Sequence, residues 1–420
     1  MNRREFVGLS LGAAFQLSRP NSQIEHAREA ALAVLKPSRR ELEHGLALHA
    51  DALVIDSYGF SPRAAPDPDA FARAIAAGAS PSELDDLLEE MRVAGCVTSA
   101  TERTEYMDAW KAAGVTCVQE SAGEEGQDPM RLIKRMARFT YVTDRLRDFV
   151  YKAVTPDDIV LAKKQNRRCL YFTGNGVPLA QRWASVEDEL SHIRVLFQLG
   201  MRMLHVTYNR RNMLGDGCAE SANGGLSDLG RAAIAEMNRV GIVVDVAHSG
   251  WRTSLEAART SRRPIVASHS AAAAVHNHIR GKPDEVIRAI ADTGGYVGIC
   301  CIPQFLGRTS DVNAMLDHID HIVKRFGADH VAIGTDIAHN SSYAEMAGTK
   351  MPKRPPARTR FEYFWPPGTL EGTGHASLSW TNWPMFTVGL VARGHSDDAI
   401  RKMLGENVLR VARRALDGIV

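Results

Sequence analysis

The sequence predicts an α/β fold, a single (β/α)8 barrel, and three observations lead there. Short apolar runs recur along the 420 residues, most of them continuous rather than alternating. That pattern suits strands covered on both sides in a parallel sheet. Amphipathic helical stretches separate the runs. Polar residues able to do chemistry stand at the ends of several runs, where such a barrel gathers its active site.

The elements follow in chain order. Residues 1–20 read MNRREFVGLSLGAAFQLSRP, with Arg3 and Arg4 ahead of Phe6 and a short apolar run from Val7 to Leu17. A bilayer span needs about 20 apolar residues. This run is shorter and resembles a twin-arginine export signal, which would place the protein in the periplasm. Read as an amphipathic N-terminal segment, it would leave the protein in the cytoplasm. Residues 21–50 read as a polar helical lead-in, and residues 51–420 as one barrel domain. The strand candidates are LVID (53–56), CVTSAT (96–101), TCVQ (116–119), CLYFTG (169–174), MLHVTY (203–208), IVVDVAH (242–248), PIVASHS (264–270), YVGICCI (296–302) and HVAIGTD (330–336). They are one too many for eight places, and TCVQ is the weakest. The helix SDLGRAAIAEMNRVG opens at Ser227 as N-cap and stops at Gly241. KPDEVIRAIADTGG places Pro283 and acidic residues in its first turn. Residues 340–378, rich in Gly, Pro, Lys and Arg, read as a long excursion near the barrel mouth. SDDAIRKMLGENVLRVARRAL closes the chain as a pair of short helices.

Composition excludes some functions. Net charge is +2 and aromatics are 7%. No basic stretch is interleaved with aromatics, so neither nucleic acid nor a membrane surface is an expected partner. No stable membrane anchor is expected either. Six cysteines, at 96, 117, 169, 218, 300 and 301, form no CxxC pair and mostly lie in apolar runs. They read as small buried hydrophobes with few or no disulfides.

Four strand ends carry useful groups. VVDVAH ends in His248, PIVASHS in His269, HVAIGTD in Asp336, and MLHVTY in Tyr208, followed by Asn209. Two imidazoles and a carboxylate from separate strands can converge on one zinc ion, and such an ion can activate water. Asp336 could instead accept that water's proton. A single strand-end histidine is more often a hydrogen-bonded structural residue; two on successive strands weigh against that reading. His276 and His278 are read as loop residues. Arg280 could grip a carboxylate in bidentate fashion. His339 and His375 are spare ligand candidates.

The stretch from GLSDLGRAAIAEMNRVG through IVVDVAHSGW, PIVASHSAAAAVHNHIRGKPDE and ADTGGYVGI resembles the membrane (renal) dipeptidase family, a branch of the metallo-dependent amidohydrolase barrels. QLGMRMLHVTYNRRN before it, and VAIGTDI and KMLGENVLRV after it, stand in the expected order. The resemblance implies two zinc ions at the barrel mouth. His248 and His269 match the two histidines of the second zinc, Asp336 the aspartate beside the bridging hydroxide, and Arg280 the arginine that binds the substrate carboxylate. The family's first strand ends in Asp-Gly-His-Asn-Asp-x-Pro; residues 56–62 here read Asp-Ser-Tyr-Gly-Phe-Ser-Pro. Tyr58 and Phe60 therefore stand where a histidine and an aspartate bind the first zinc. Thr173 stands in place of the bridging glutamate, and Tyr208 in place of a histidine that polarises the scissile carbonyl. Phenylalanine cannot bind a metal, and neutral tyrosine and threonine bind zinc poorly. The expectation is a dipeptidase-like hydrolase with one zinc per chain, or none, acting on a small carboxylate-bearing peptide. Tyr208 and Asn209 are expected to contact substrate, Tyr208 by donating to a developing oxyanion. The alternatives are a non-peptidase enzyme acting on an exported peptide-derived metabolite, or an inactive binding homologue. A homodimer is expected by resemblance alone.

Overall fold

Runs too apolar to face water pair side by side. In the computed structural model, which describes residues 15–123, 128–307, 309–354, 360–371 and 373–419, they form β1 (Ile55–Gly59), β2 (Cys117–Ser121), β3 (Val150–Ala153), β4 (Arg168–Gly174), β5 (Met203–His205), β6 (Val243–Asp245), β7 (Ile265–Ala272), β8 (Gly281–Lys282), β9 (Tyr296–Ile299) and β10 (Val331–Ile333). All pairings between them are parallel. The strand order β1-β2-β4-β5-β6-β7-β9-β10 makes an almost closed eight-stranded barrel, with β3 beside β4 and β8 beside β7. Helices separate most of the strands, as right-handed parallel crossovers require. Several start with reciprocal caps, such as Ser80 with Glu83 and Thr155 with Asp158.

Two expected elements change places. CVTSAT is helical: Cys96 and Val97 close the helix Pro81–Thr98, and Ala100 opens the helix Ala100–Ala113. TCVQ, the weakest candidate, is the second barrel strand, its entry set by Gly114 in the left-handed region at the preceding helix end. The short strand β3 was not anticipated. Arg3 and Arg4 of the export-signal reading lie outside the described residues. No helix among the described residues is long and apolar enough to cross a membrane. The six cysteines are free thiols.

Ile55, Tyr58, Cys117, Cys169, Tyr171, Met203, Val243, Val266, Tyr296 and Ala332 pack together inside the barrel. A larger apolar layer, including Trp110, Trp380 and Trp383, lies between strands and helices. Part of the excursion reaches the mouth, where the Tyr363 ring lies 5.9 Å from Tyr208 and Arg210 Nε donates to the Phe364 carbonyl at 2.9 Å.

The barrel closes between β1 and β10 without a regular ladder. Asp336 N–H donates to Tyr58 O at 3.0 Å, Phe60 N–H to Ile337 O at 3.3 Å, and Arg63 N–H to His339 O at 2.8 Å. Below them the buried Asp56 carboxylate accepts from Thr335 N–H (2.9 Å), Thr335 Oγ1 (2.6 Å) and Trp380 Nε1 (3.1 Å). Burial outweighs those bonds and pushes Asp56 up to about 7. The native state thus keeps a proton from about pH 4 to pH 7 that the unfolded chain has released. Stability from this group is full below about pH 4 and is lost as pH rises through about 7, on the order of 4 kcal/mol. Chemical denaturation at pH 5 and 8 is expected to show this fall, and Asp56→Asn to flatten it. An unchanged slope in the variant would assign the fall to other groups.

Candidate active site

Side chains alternate along a strand, so His205 and Asp245 face the same way as Met203 and Val243, one layer nearer the mouth. His269 lies within β7, and His248 follows β6 by three residues. All four are buried, none more than 4% exposed. The ring centroids of His205, His248 and His269 stand 5.0–5.3 Å apart. Two tyrosines cover the cluster. Tyr58 stacks on His269 at 3.8 Å and Tyr208 on His248 at 4.0 Å.

The hydrogen bonds assign the tautomers. Asp245 is ionised: burial would raise its carboxyl, but the neighbouring His205 ring, the Ser268 hydroxyl and backbone N–H groups hold it below its usual value. Its Oδ1 accepts from Ala247 N–H (2.9 Å) and Ser268 N–H (3.1 Å), and its Oδ2 takes the Ser268 hydroxyl proton. The Ser268 oxygen is then left to accept from His269 Nδ1–H at 2.9 Å. Asn209 Oδ1 accepts from His248 Nδ1–H at 2.8 Å. Both Nδ1 protons are committed, so both Nε2 atoms present lone pairs, and these face each other at 2.9 Å. Burial, and after it the nearby Arg280 charge, push both histidines well below their usual value, so both are neutral. Two facing lone pairs repel unless a cation lies between them, and neutral imidazole is the form that binds zinc.

The other expected residues take different positions. Asp336 follows β10 in the left-handed region (φ 58°), and its N–H is fixed on Tyr58 O at 3.0 Å. Arg280 is fully buried; its two terminal nitrogens donate to the carbonyls of Ala247 and His269, the latter at 3.0 Å. Those bonds brace the two backbone segments that carry the histidines, and the buried Nε has no hydrogen-bond partner. Asn209 orients His248 rather than facing open space. His339 lies 3.7 Å from Glu105, and His375 Nδ1 bonds Ser377 Oγ at 2.8 Å, so neither replaces a lost ligand. Beyond Tyr208 lies a cavity of about 630 Å³, lined by Asn175, Tyr208, Arg210, Arg211 and Arg360 among others. Sequence reasoning missed His205, Asp245 and Ser268. Their signal was a polar residue set into an apolar run, His205 in MLHV, Asp245 in VVDV and Ser268 in IVASH.

Residues 82–348 match the family model described as membrane dipeptidase (peptidase family M19). The chain belongs to the membrane dipeptidase family. A dipeptidase, verJ, of Clonostachys rogersoniana is 30% identical over 226 residues, 52% of this chain and 50% of that protein. The chain thus spans about half the length of the curated relatives it matches. An amidohydrolase from Pseudomonas aeruginosa superposes with a TM-score of 0.63 at 26% identity, covering 88% of this chain and 98% of that one. A probable dipeptidase of the same organism, PvdM, superposes at 0.65 with 19% identity, covering 90% and 99%. These neighbours share the barrel of metallo-dependent hydrolases.

The membrane dipeptidase metal pair fits only in part. Tyr58 Oη donates to Asn175 Oδ1 at 2.5 Å, the Phe60 ring packs edge-on to Tyr58 under the Arg63 guanidinium, and Thr173 Oγ1 donates to the Glu120 carbonyl at 3.2 Å. The positions that the resemblance assigns to a first metal thus hold an aromatic plug with satisfied polar atoms. His248 and His269, which it assigns to a second, face each other. Restoring the ligands with Tyr58→His, Phe60→Asp and Thr173→Glu together is expected to raise zinc content by about one ion per chain. Mass spectrometry showing no increase in a folded variant would mean the plug is not what excludes the ion.

Proposed function

We propose that this chain is a dipeptidase-like hydrolase that cleaves the peptide or amide bond of a small carboxylate-bearing substrate with one zinc ion rather than two. The observation that carries the reading is the facing of His248 Nε2 and His269 Nε2, 2.9 Å apart in a buried cluster. Zinc bound there would polarise the scissile carbonyl and lower the pKa of water toward neutrality. Tyr208, held over His248, would donate to the oxygen that gains negative charge. Asp336 would accept a proton at its carboxylate. Arg280, with Arg210 and Arg360 at the cavity beyond Tyr208, would supply the positive charge that attracts the substrate carboxylate. The Tyr58–Phe60 plug also favours a second reading, a non-peptidase hydrolysis on the same barrel.

The test is metal content of protein purified without added metal or chelator, followed by a dipeptide panel. About one zinc per chain with dipeptide turnover supports the first reading. One zinc with inert dipeptides supports the second. No zinc, even after incubation with it, overturns both.

A further inference from the structure

We propose that His205 and Asp245 complete the metal centre, so that the ion held by His248 and His269 takes its remaining ligands from β5 and β6 inside the barrel rather than from β1 and β4. This rests on the reading above and names the ligand set that makes a one-ion site sufficient.

The plug removes every ligand the family draws from β1 and β4. His248 and His269 alone would leave an ion with only two protein ligands, whereas catalytic zinc normally keeps three. His205 is 1% exposed; its Nε2 lies 2.7 Å from Asp245 Oδ2, and its Nδ1 makes no hydrogen bond. Buried polar atoms normally have a partner, so this nitrogen is open to a ligand. The neighbouring Asp245 is the carboxylate grouped with His205 and His269. A ring nitrogen of His205, a ring nitrogen of His269 and a carboxylate oxygen of Asp245 all lie within 4.8 Å of one another. Zinc bonds near 2.0 Å need ligand atoms roughly 3 Å apart, so these atoms would draw together on the ion that His248 and His269 face, with water as a fifth ligand.

The surrounding bonds match those of ligands held in place. Ser268 bridges Asp245 and His269 through its hydroxyl, and Asn209 fixes His248. Such partners set the tautomer and orientation of metal-binding residues. The competing account is a buried His205–Asp245 ion pair. It leaves the second nitrogen of His205 without a partner and the facing Nε2 atoms of His248 and His269 unexplained.

X-ray absorption at the zinc edge on the wild-type protein counts imidazoles directly. Three imidazoles with an oxygen donor are expected; two would overturn the proposal while leaving the one-zinc hydrolase intact. His205→Gln keeps side-chain volume and is expected to lower zinc affinity by at least about 100-fold, with circular dichroism unchanged. In the cobalt-loaded protein the same exchange is expected to alter the visible bands. Wild-type affinity and an unchanged cobalt spectrum in His205→Gln would overturn the proposal. A wild-type chain that takes up no zinc overturns this inference together with the reading it rests on.

Discussion

Replacing His269 by alanine is expected to abolish both zinc binding and hydrolysis, the largest functional effect any single exchange should have. His269 is where three interactions meet. Its Nε2 faces His248, its Nδ1 is held by Ser268, and its ring carries Tyr58 at 3.8 Å. Removing the ring takes one lone pair from the pair that draws an ion in, and frees Tyr58 to move. The expected loss in kcat/KM is at least about a thousandfold, or about 4 kcal/mol of transition-state stabilisation. The lost stack should cost only about 1 kcal/mol of stability. Metal analysis, kinetics and thermal unfolding on one preparation separate the two effects. A His269→Ala protein that keeps its zinc would remove His269 from the ligand set.

Gly334→Ala is expected to give a large loss of stability. A Cβ at Gly334 would lie 2.0 Å from the Ser268 carbonyl oxygen and 2.7 Å from Ser57 Oγ. Gly298, on β9, is in the same position, 1.9 Å from that oxygen. Ser57 Oγ already donates to it at 2.7 Å, so β1, β9 and β10 all crowd against one peptide of β7. Backbone cannot yield as a side-chain tip can, and the strain should exceed about 3 kcal/mol, the upper end of ordinary overpacking. Ser268 orients both Asp245 and His269, so zinc affinity should fall as well. Gly348→Ala is the control, because nothing lies within 4 Å of its added carbon. Equal denaturation midpoints for the two variants would show that β7 can move aside.

Much of this was legible in the sequence. Continuous apolar runs with capped helices between them specify the barrel, and His248 and His269 mark its mouth. The CVTSAT and TCVQ exchange shows the limit. Short apolar runs serve equally as the buried end of a helix or as a strand, and here the run continues the helix that the capping box at Ser80 and Glu83 starts. His205 and Asp245 were hidden for a different reason. They stand inside their runs, and only strand pairing shows that their side chains meet. Arg280 shows a third limit. Its type suggests a carboxylate grip, but whether a guanidinium turns outward or braces its own backbone is settled by packing.

The irregular closure between β1 and β10 gives the ring a weak line. Elsewhere around the barrel, neighbouring strands share ladder bonds; here a carboxylate, a threonine and a few loop amides carry the join. Tyr58 belongs to that join through its carbonyl and covers His269 with its ring. Parting the two strands therefore also uncovers the histidine. Any opening of the fold along this line would expose its most buried chemistry at the same time.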